Sequence, residues 1–127
     1  MRKLVLIVDD DGAWRKVLAR TLEQDGYEVL EAEDGDVGLK ICAAERPALV
    51  ITDVFMPERD GFEILSALRD AEHRPKILAM SGSSTEGALD FLVVASRLGA
   101  DHALKKPFSP DELRTAVQAL IGAPDKV

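Results

Sequence analysis

Leu4-Val5-Leu6-Ile7-Val8-Asp9-Asp10 is an unbroken apolar run closed by two adjacent carboxylates. A continuous run of this kind reads as a strand buried on both faces, as in a parallel sheet, rather than one that alternates between core and solvent. The pattern recurs along the chain. Ala48-Leu49-Val50-Ile51-Thr52 is closed by Asp53, Lys76-Ile77-Leu78-Ala79-Met80 by Ser81, and His102-Ala103-Leu104-Lys105 by Lys106. Each polar residue stands at a strand's carboxyl end. Parallel strands bring those ends to one edge, where open α/β sheets bind their ligands. Acids, a hydroxyl and an ammonium on one edge describe a divalent-cation site suited to phosphoryl chemistry.

Segments of helical period separate these runs. The first helix is expected from about Ala13 to Asp25, with Trp14, Val17, Leu18 and Leu22 as its apolar stripe and Gly26 as its stop. Tyr27 to Ala32 alternates as a second strand. The Asp34-Gly35 turn then leads into a helix through Val37, Leu39, Ile41 and Cys42, and Pro47 ends it. Asp60 with Glu63 can form a capping box for a helix through Phe62, Ile64, Leu65 and Leu68 to about Ala71. Ser83 with Glu86 can do the same for a helix from about Gly87 to Leu98, stopped by Gly99. Ser109-Pro110-Asp111-Glu112 is the clearest helix start: a capping serine, a proline in the first turn and a glutamate at the third position. The last helix should bury Leu113, Val117, Leu120 and Ile121, with the chain fraying from Ala123. Alternating strands and helices predict a flavodoxin-like (βα)5 fold. Its five-stranded parallel sheet would have the order 2-1-3-4-5, with helices on both faces.

The length of 127 residues fits one domain, expected over residues 1–122 with a frayed tail at 123–127. Hydrophobic residues at 46% and charged residues at 31% give the balance of a soluble globular protein. The net charge of −7 and the lack of a basic stripe speak against direct nucleic-acid contact. No apolar stretch approaches membrane-spanning length, and the run after Met1-Arg2-Lys3 is too short for a signal peptide. The single Cys42 cannot form an internal disulfide, in keeping with a reducing compartment. It reads as a small buried residue rather than a reactive thiol. The expectation is a cytoplasmic protein with no membrane partner, monomeric or weakly dimeric.

Asp9, Asp10 and Asp53 would repel one another unless a cation neutralised them, and hard oxygen donors suit Mg2+. One acid of the Asp9-Asp10-Asp11 run can instead cap the following helix, and Asp11 is best placed to do so. Asp53 closes a buried strand, where an ionised carboxylate needs a partner that a cation and Lys106 could supply. A carboxylate can also accept a phosphoryl group as an acyl phosphate. Ser81 could bind a phosphoryl oxygen, although Ser83 and Ser84 are equal candidates by themselves. Lys106 could neutralise charge there, with Lys105 as its surface-lysine counterpart.

Ile7-Val8-Asp9-Asp10-Asp11, Ile51-Thr52-Asp53-Val54-Phe55-Met56-Pro57-Glu58-Arg59-Asp60-Gly61, Ala79-Met80-Ser81-Gly82 and Lys106-Pro107-Phe108 resemble the receiver domain of bacterial two-component response regulators. The resemblance covers essentially the whole chain, and four motifs in this order are highly specific. It implies that Asp53 accepts a phosphoryl group from the phosphohistidine of a sensor histidine kinase or a histidine phosphotransfer protein. It further implies that Asp9, Asp10, Asp53 and the backbone carbonyl of Phe55 hold Mg2+, and that Ser81 and Lys106 contact the phosphoryl oxygens. The domain would catalyse only its own phosphorylation and dephosphorylation and would switch the binding of a downstream protein. The expectation is a single-domain, chemotaxis-receiver-like phosphorelay shuttle or protein-binding switch, and a receiver cut from a longer regulator would have the same sequence. Trp14, Arg15, Leu18 and Phe108 are expected near the kinase-docking surface.

The sequence departs from the family pattern in three places. Ala103 stands three positions before Lys106, where receivers often carry the aromatic that relays phosphorylation to the face of the fourth helix, fifth strand and fifth helix. The segment between Ser81 and Gly99 is longer than usual and includes the apolar block Phe91-Leu92-Val93-Val94, read as a buried helix face or a partner surface. Phe55, bulky and apolar two residues after Asp53, is expected to hinder the attacking water and prolong an acyl phosphate. Two other readings compete. Val8-Asp9-Asp10-Asp11-Gly12 also fits the Asp-x-Asp motif of haloacid-dehalogenase-like phosphatases, with Asp9 as nucleophile, but Asp53 then has no role. A phosphorylation-independent binding module of receiver fold is the third.

Overall fold

The computed structural model describes residues 3–53, 55–56, 59–72, 74–81, 96–97 and 99–124, with side chains at 55–56, 59–64 and 81 left out of the description. In chain order the elements are β1 (Leu4–Val8), α1 (Gly12–Asp25), β2 (Glu28–Ala32), α2 (Gly35–Glu45), β3 (Leu49–Asp53), β4 (Phe55–Met56) and β5 (Arg59–Asp60). They continue with α3 (Gly61–Asp70), β6 (Lys76–Ser81), β7 (His102–Lys105) and α4 (Pro110–Ile121). The five longer strands form one sheet in the order β2-β1-β3-β6-β7, every neighbouring pair parallel. Counted over those strands, this is the 2-1-3-4-5 order expected of a flavodoxin-like fold. Short β4 and β5 pair antiparallel beyond Asp53, a pairing not anticipated from the sequence.

The two-residue period of a strand divides the core. Val5, Ile7, Leu49, Ile51, Leu78 and Met80 pack against Leu18, Ala19 and Leu22 of α1 and Leu113, Ala116 and Val117 of α4. Leu6, Val8, Val50, Ile77 and Ala79 pack on the opposite face against Cys42 of α2 and Leu65 and Leu68 of α3. Removing a leucine or isoleucine from water at such positions contributes about 1.5–3 kcal/mol each. The α1 stripe differs from expectation in one member: Val17 is 54% exposed, and Ala19 is buried instead. At about 100° per residue, positions 18, 19 and 22 cluster while 17 swings away from them.

Helix ends follow their local chemistry. The Asp11 side chain accepts from the Trp14 N–H and starts α1, and Gly26 at φ 112° ends it in a conformation that side chains resist. Asp34 caps α2 through the Val37 N–H. Ser109 and Glu112 form the reciprocal box at α4. The end of α4 is tied down. Lys3 Nζ donates to the Ile121 and Ala123 carbonyls at 2.7 and 2.8 Å, and the Tyr27 hydroxyl donates to the Gly122 carbonyl at 2.7 Å. Ala123, expected to fray, is therefore anchored, because an ammonium satisfies carbonyls that a helix terminus leaves open. The expected helix at 87–98 with its Ser83–Glu86 box and apolar block lies outside the described residues, apart from helical Ser96 and Arg97. The Asp60–Glu63 side chains lie outside them too. Among the described residues, no helix is long and apolar enough to cross a membrane.

Candidate functional site

β1 and β3 are neighbours in register, Val8 opposite Thr52, so Asp9 and Asp53 leave the sheet side by side. Strand alternation places both on the α1/α4 side, in phase with Ile7 and Ile51. Asp9 is fully buried and Asp53 is 4% exposed. Asp10, one residue farther along, is exposed. Asp9, Asp10 and Asp53 each offer a carboxylate oxygen, and the three oxygens lie within 4.8 Å of one another. All-carboxylate donors, without sulfur or imidazole, suit a hard cation such as Mg2+.

Lys106 follows β7 and reaches across the edge. Its Nζ donates to Asp9 Oδ2 at 2.6 Å and to Asp53 Oδ2 at 2.9 Å. Two buried carboxylates therefore share one ammonium, the arrangement that makes buried charge tolerable. Burial pushes the Asp9 carboxyl above its usual pKa, against the Lys106 hydrogen bond and the Asp11 N–H that favour the ionised form. Burial works to lower the Lys106 pKa, but the hydrogen bonds to Asp9 and Asp53 outweigh it and hold the ammonium above its usual value. The site thus keeps its lysine charged at any physiological pH. The Asp11 N–H donates to Asp9 Oδ1 at 2.9 Å, so the turn that starts α1 also orients Asp9.

Ser81 ends β6, in register with Lys105 of β7, on the same sheet edge; its side chain lies outside the description. Phe55 opens β4 two residues past Asp53, also without a described side chain. Ala103 is half-buried on β7 and packs against the α2/α3 core. Lys105, the counterpart of Lys106, is exposed.

Two features escaped the sequence reading. Arg15 donates through Nη1 to the Asp9 carbonyl at 2.6 Å and through Nε to Glu31 at 2.9 Å, and Lys16 joins the same Glu31 at 2.9 Å. Arg15 thus clamps the β1 turn to β2. Its signal was present: Glu31 is a charged residue in phase with Val29, on the face that α1 covers. Trp14 is the other, with its ring 5.7 Å from Lys106 Nζ and edge-to-face with Phe108 at 5.0 Å. Of the residues expected at a docking surface, Leu18 in the α1 stripe and Phe108 in the loop before α4 are both buried in the α1/α4 core. Ala13, Lys16, Val17 and Arg20 are the exposed positions of that helix stretch.

The family model of the response regulator receiver domain matches residues 5–118. The chain belongs to the response regulator receiver family. Among curated relatives of this receiver, the alkaline phosphatase synthesis transcriptional regulatory protein PhoP of Bacillus subtilis is 36% identical over 121 residues, covering 95% of this chain and 49% of that protein. Response regulator MprA of Mycolicibacterium vanbaalenii is 38% identical over 117 residues, covering 92% and 49%. The receiver chain thus spans about half the length of the curated relatives it matches. Among solved structures, chemotaxis protein CheY4 of Vibrio cholerae superimposes with a TM-score of 0.86 at 31% identity, covering 95% of this chain and all of that one. A putative response regulator from Chloroflexus aurantiacus gives 0.87 at 30% identity, covering 94% and 98%.

Proposed function

We propose that Asp53 is the phosphoryl acceptor of this receiver, that Asp9, Asp10, Asp53 and the Phe55 carbonyl hold Mg2+, and that Ser81 and Lys106 contact the phosphoryl oxygens. One observation carries this reading: a single ammonium within 2.9 Å of two buried carboxylates, with a third carboxylate beside them, on the ligand-binding edge of a parallel sheet. A purely structural ion pair would need neither the third acid nor this edge.

In the transfer, an Asp53 carboxylate oxygen attacks the phosphorus of a phosphohistidine. The P–N bond breaks, its electron pair returns to the imidazole, and Asp53 becomes an acyl phosphate. A cation held by Asp9, Asp10 and Asp53 would supply charge neutralisation there when bound. Lys106 supplies the rest: preorganised between Asp9 and Asp53, its Nζ needs only a short movement to follow negative charge onto the new phosphoryl group. Arg15 and the Asp11 N–H hold Asp9 still while this happens. Hydrolysis of the acyl phosphate by water returns the carboxylate, and Phe55 slows that step. The domain, proposed to span residues 1–122, catalyses nothing beyond this cycle. Its donor is a sensor histidine kinase or a histidine phosphotransfer protein, met through the exposed side of α1. Its output is the switched binding of another protein in the cytoplasm.

The test is intact-mass measurement after incubation with acetyl phosphate and Mg2+. The wild-type chain should gain one phosphoryl group, Asp53→Asn none, and Asp9→Asn should gain it slowly. An adduct that survives Asp53→Asn, or rapid turnover of phosphate dependent on Asp9, would replace this reading with the phosphatase one. No adduct from any donor would favour the phosphorylation-independent binding module.

A further inference from the structure

Lysine is a compact charge on a flexible four-carbon stem, and holding its ammonium in one place needs walls as well as ionic partners. Asp9 and Asp53 occupy two sides of Lys106 Nζ. The face of Trp14 covers a third, with the ring centroid at 5.7 Å, inside the roughly 6 Å range over which a ring quadrupole attracts a cation. Trp14 is itself fixed twice. Its backbone N–H is bound by the Asp11 side chain at the start of α1, and its ring meets Phe108 edge-to-face at 5.0 Å and 79°. Phe108 is 8% exposed and belongs to the α1/α4 core.

The indole also strands a donor: Trp14 Nε1 is buried with no hydrogen-bond partner among the described residues. An unpaired buried N–H is costly and calls for a reason. An aliphatic side chain could fill this position without that cost. What it could not supply is an aromatic face against the ammonium.

We propose that Trp14 is a positioning residue of the receiver site, its indole face holding Lys106 over Asp9 and Asp53 in the geometry that phosphoryl transfer uses. This rests on the assignment of Asp53 and Lys106 made above. The turn that carries the acids thereby also delivers the wall for the lysine, since Asp11 both follows them and caps the helix bearing Trp14. Because Trp14 is the only tryptophan of the chain, it also reports on the contact.

The experiment compares the 127-residue chain with its Trp14→Phe and Trp14→Leu variants. Acetyl phosphate concentration is varied with Mg2+ present, and the phosphoryl adduct is followed by intact mass, separating kcat from KM. The ε-methylene protons of Lys106 are recorded by NMR, with exposed Lys105 as internal reference. In the wild type they should be shifted upfield of Lys105 by the indole ring current. Trp14→Phe, which keeps a face and removes the stranded N–H, should retain the shift and a near-wild-type rate. Trp14→Leu should lose the shift, and its kcat should fall about three- to tenfold, the size expected of a cation–π contact. A wild-type Lys106 resonance unshifted from Lys105 overturns the proposal without any variant having to fold. So does Trp14→Leu at full rate, or Trp14→Phe as slow as Trp14→Leu, which would make the role one of packing. If the wild type forms the adduct on Asp53 and only these outcomes fail, the positioning role falls and the acceptor assignment stands; if no adduct forms, both fall.

Discussion

On the α1/α4 side of the sheet, odd-numbered positions of β1 and β3 run from Val5, Ile7, Leu49 and Ile51 out to Asp9 and Asp53, and the covering helix brings Trp14 against Lys106 and Arg15 to the Asp9 carbonyl. On the α2/α3 side, the same strands present Leu6, Val8 and Val50, and α2 answers with buried Gly35, Gly38 and Cys42. One face ends in charge held by large, polar-tipped side chains. The other is closed by small residues that let a helix lie near the sheet. A Cβ added at Gly38 would stand 2.8 Å from Val8 Cγ2, nearer than real atoms approach. The lesson is that strand phase decides on which face Asp9 and Asp53 leave the sheet, and so which helix supplies their neighbours. Changes at Asp9, Asp53 and Lys106 should therefore act on phosphoryl transfer, and changes where α2 packs on the sheet on stability alone.

The hardest break of this division is at Lys106. Lys106→Met keeps the bulk of the stem and removes the charge shared by Asp9 and Asp53. Phosphorylation by acetyl phosphate should fall about a hundredfold, as when one preorganised donor is taken from a charged transition state. The helical circular dichroism should be unchanged. A rate within threefold of the wild type would mean that the ammonium is there for folding and not for transfer.

The opposite face gives a smaller effect of another kind. Gly38→Ala relieves a helical glycine by about 1 kcal/mol, but forces a methyl group against buried, β-branched Val8 at a cost of about 1–3 kcal/mol. The net result should be a loss of about 1 kcal/mol in urea unfolding, with the phosphorylation rate held within twofold. A variant that unfolds later than the wild type would show that α2 can draw back. A tenfold slower transfer would show that the two faces are coupled.

Much of this division was legible in the sequence because it depends on period and punctuation. The apolar runs, the Gly26 and Ser109 signals and the order of Asp9, Asp53 and Lys106 are local facts, and the parallel topology follows from their alternation with helices. The α1 stripe was misjudged at Val17 because the helix phase depends on where α1 starts and on which neighbours it packs against, and spacing alone allows either side. Ala123 was expected to fray because its partner Lys3 lies at the far end of the chain. The roles of Arg15 and Trp14 were missed for a related reason. A clamp joining α1 to Glu31, or a ring lying over Lys106, depends on tertiary distances between segments that share no motif. Trp14 at helical spacing looks the same whether it fills a core or faces a cation.

The smallest effect concerns the clamp itself. Burial works to raise the Glu31 carboxyl, but hydrogen bonds and charge from Lys16 and Arg15 outweigh it and leave the pKa below its usual 4.5. A lowered folded-state pKa means that the unfolded chain takes up the proton first. The stabilisation is therefore complete above about pH 4.5 and fades as the pH falls through the lower folded value. Glu31→Gln removes this dependence while keeping an oxygen for Arg15. Wild type should exceed the variant in urea stability by less than about 1 kcal/mol at pH 5.5, as befits a pair at the surface, and the gap should shrink by pH 3. The Gly38→Ala difference, being steric, should stay constant over the same interval. A Glu31→Gln gap that also stayed constant would make the tie between α1 and β2 one of packing, and would remove electrostatics from what distinguishes the two faces near β2.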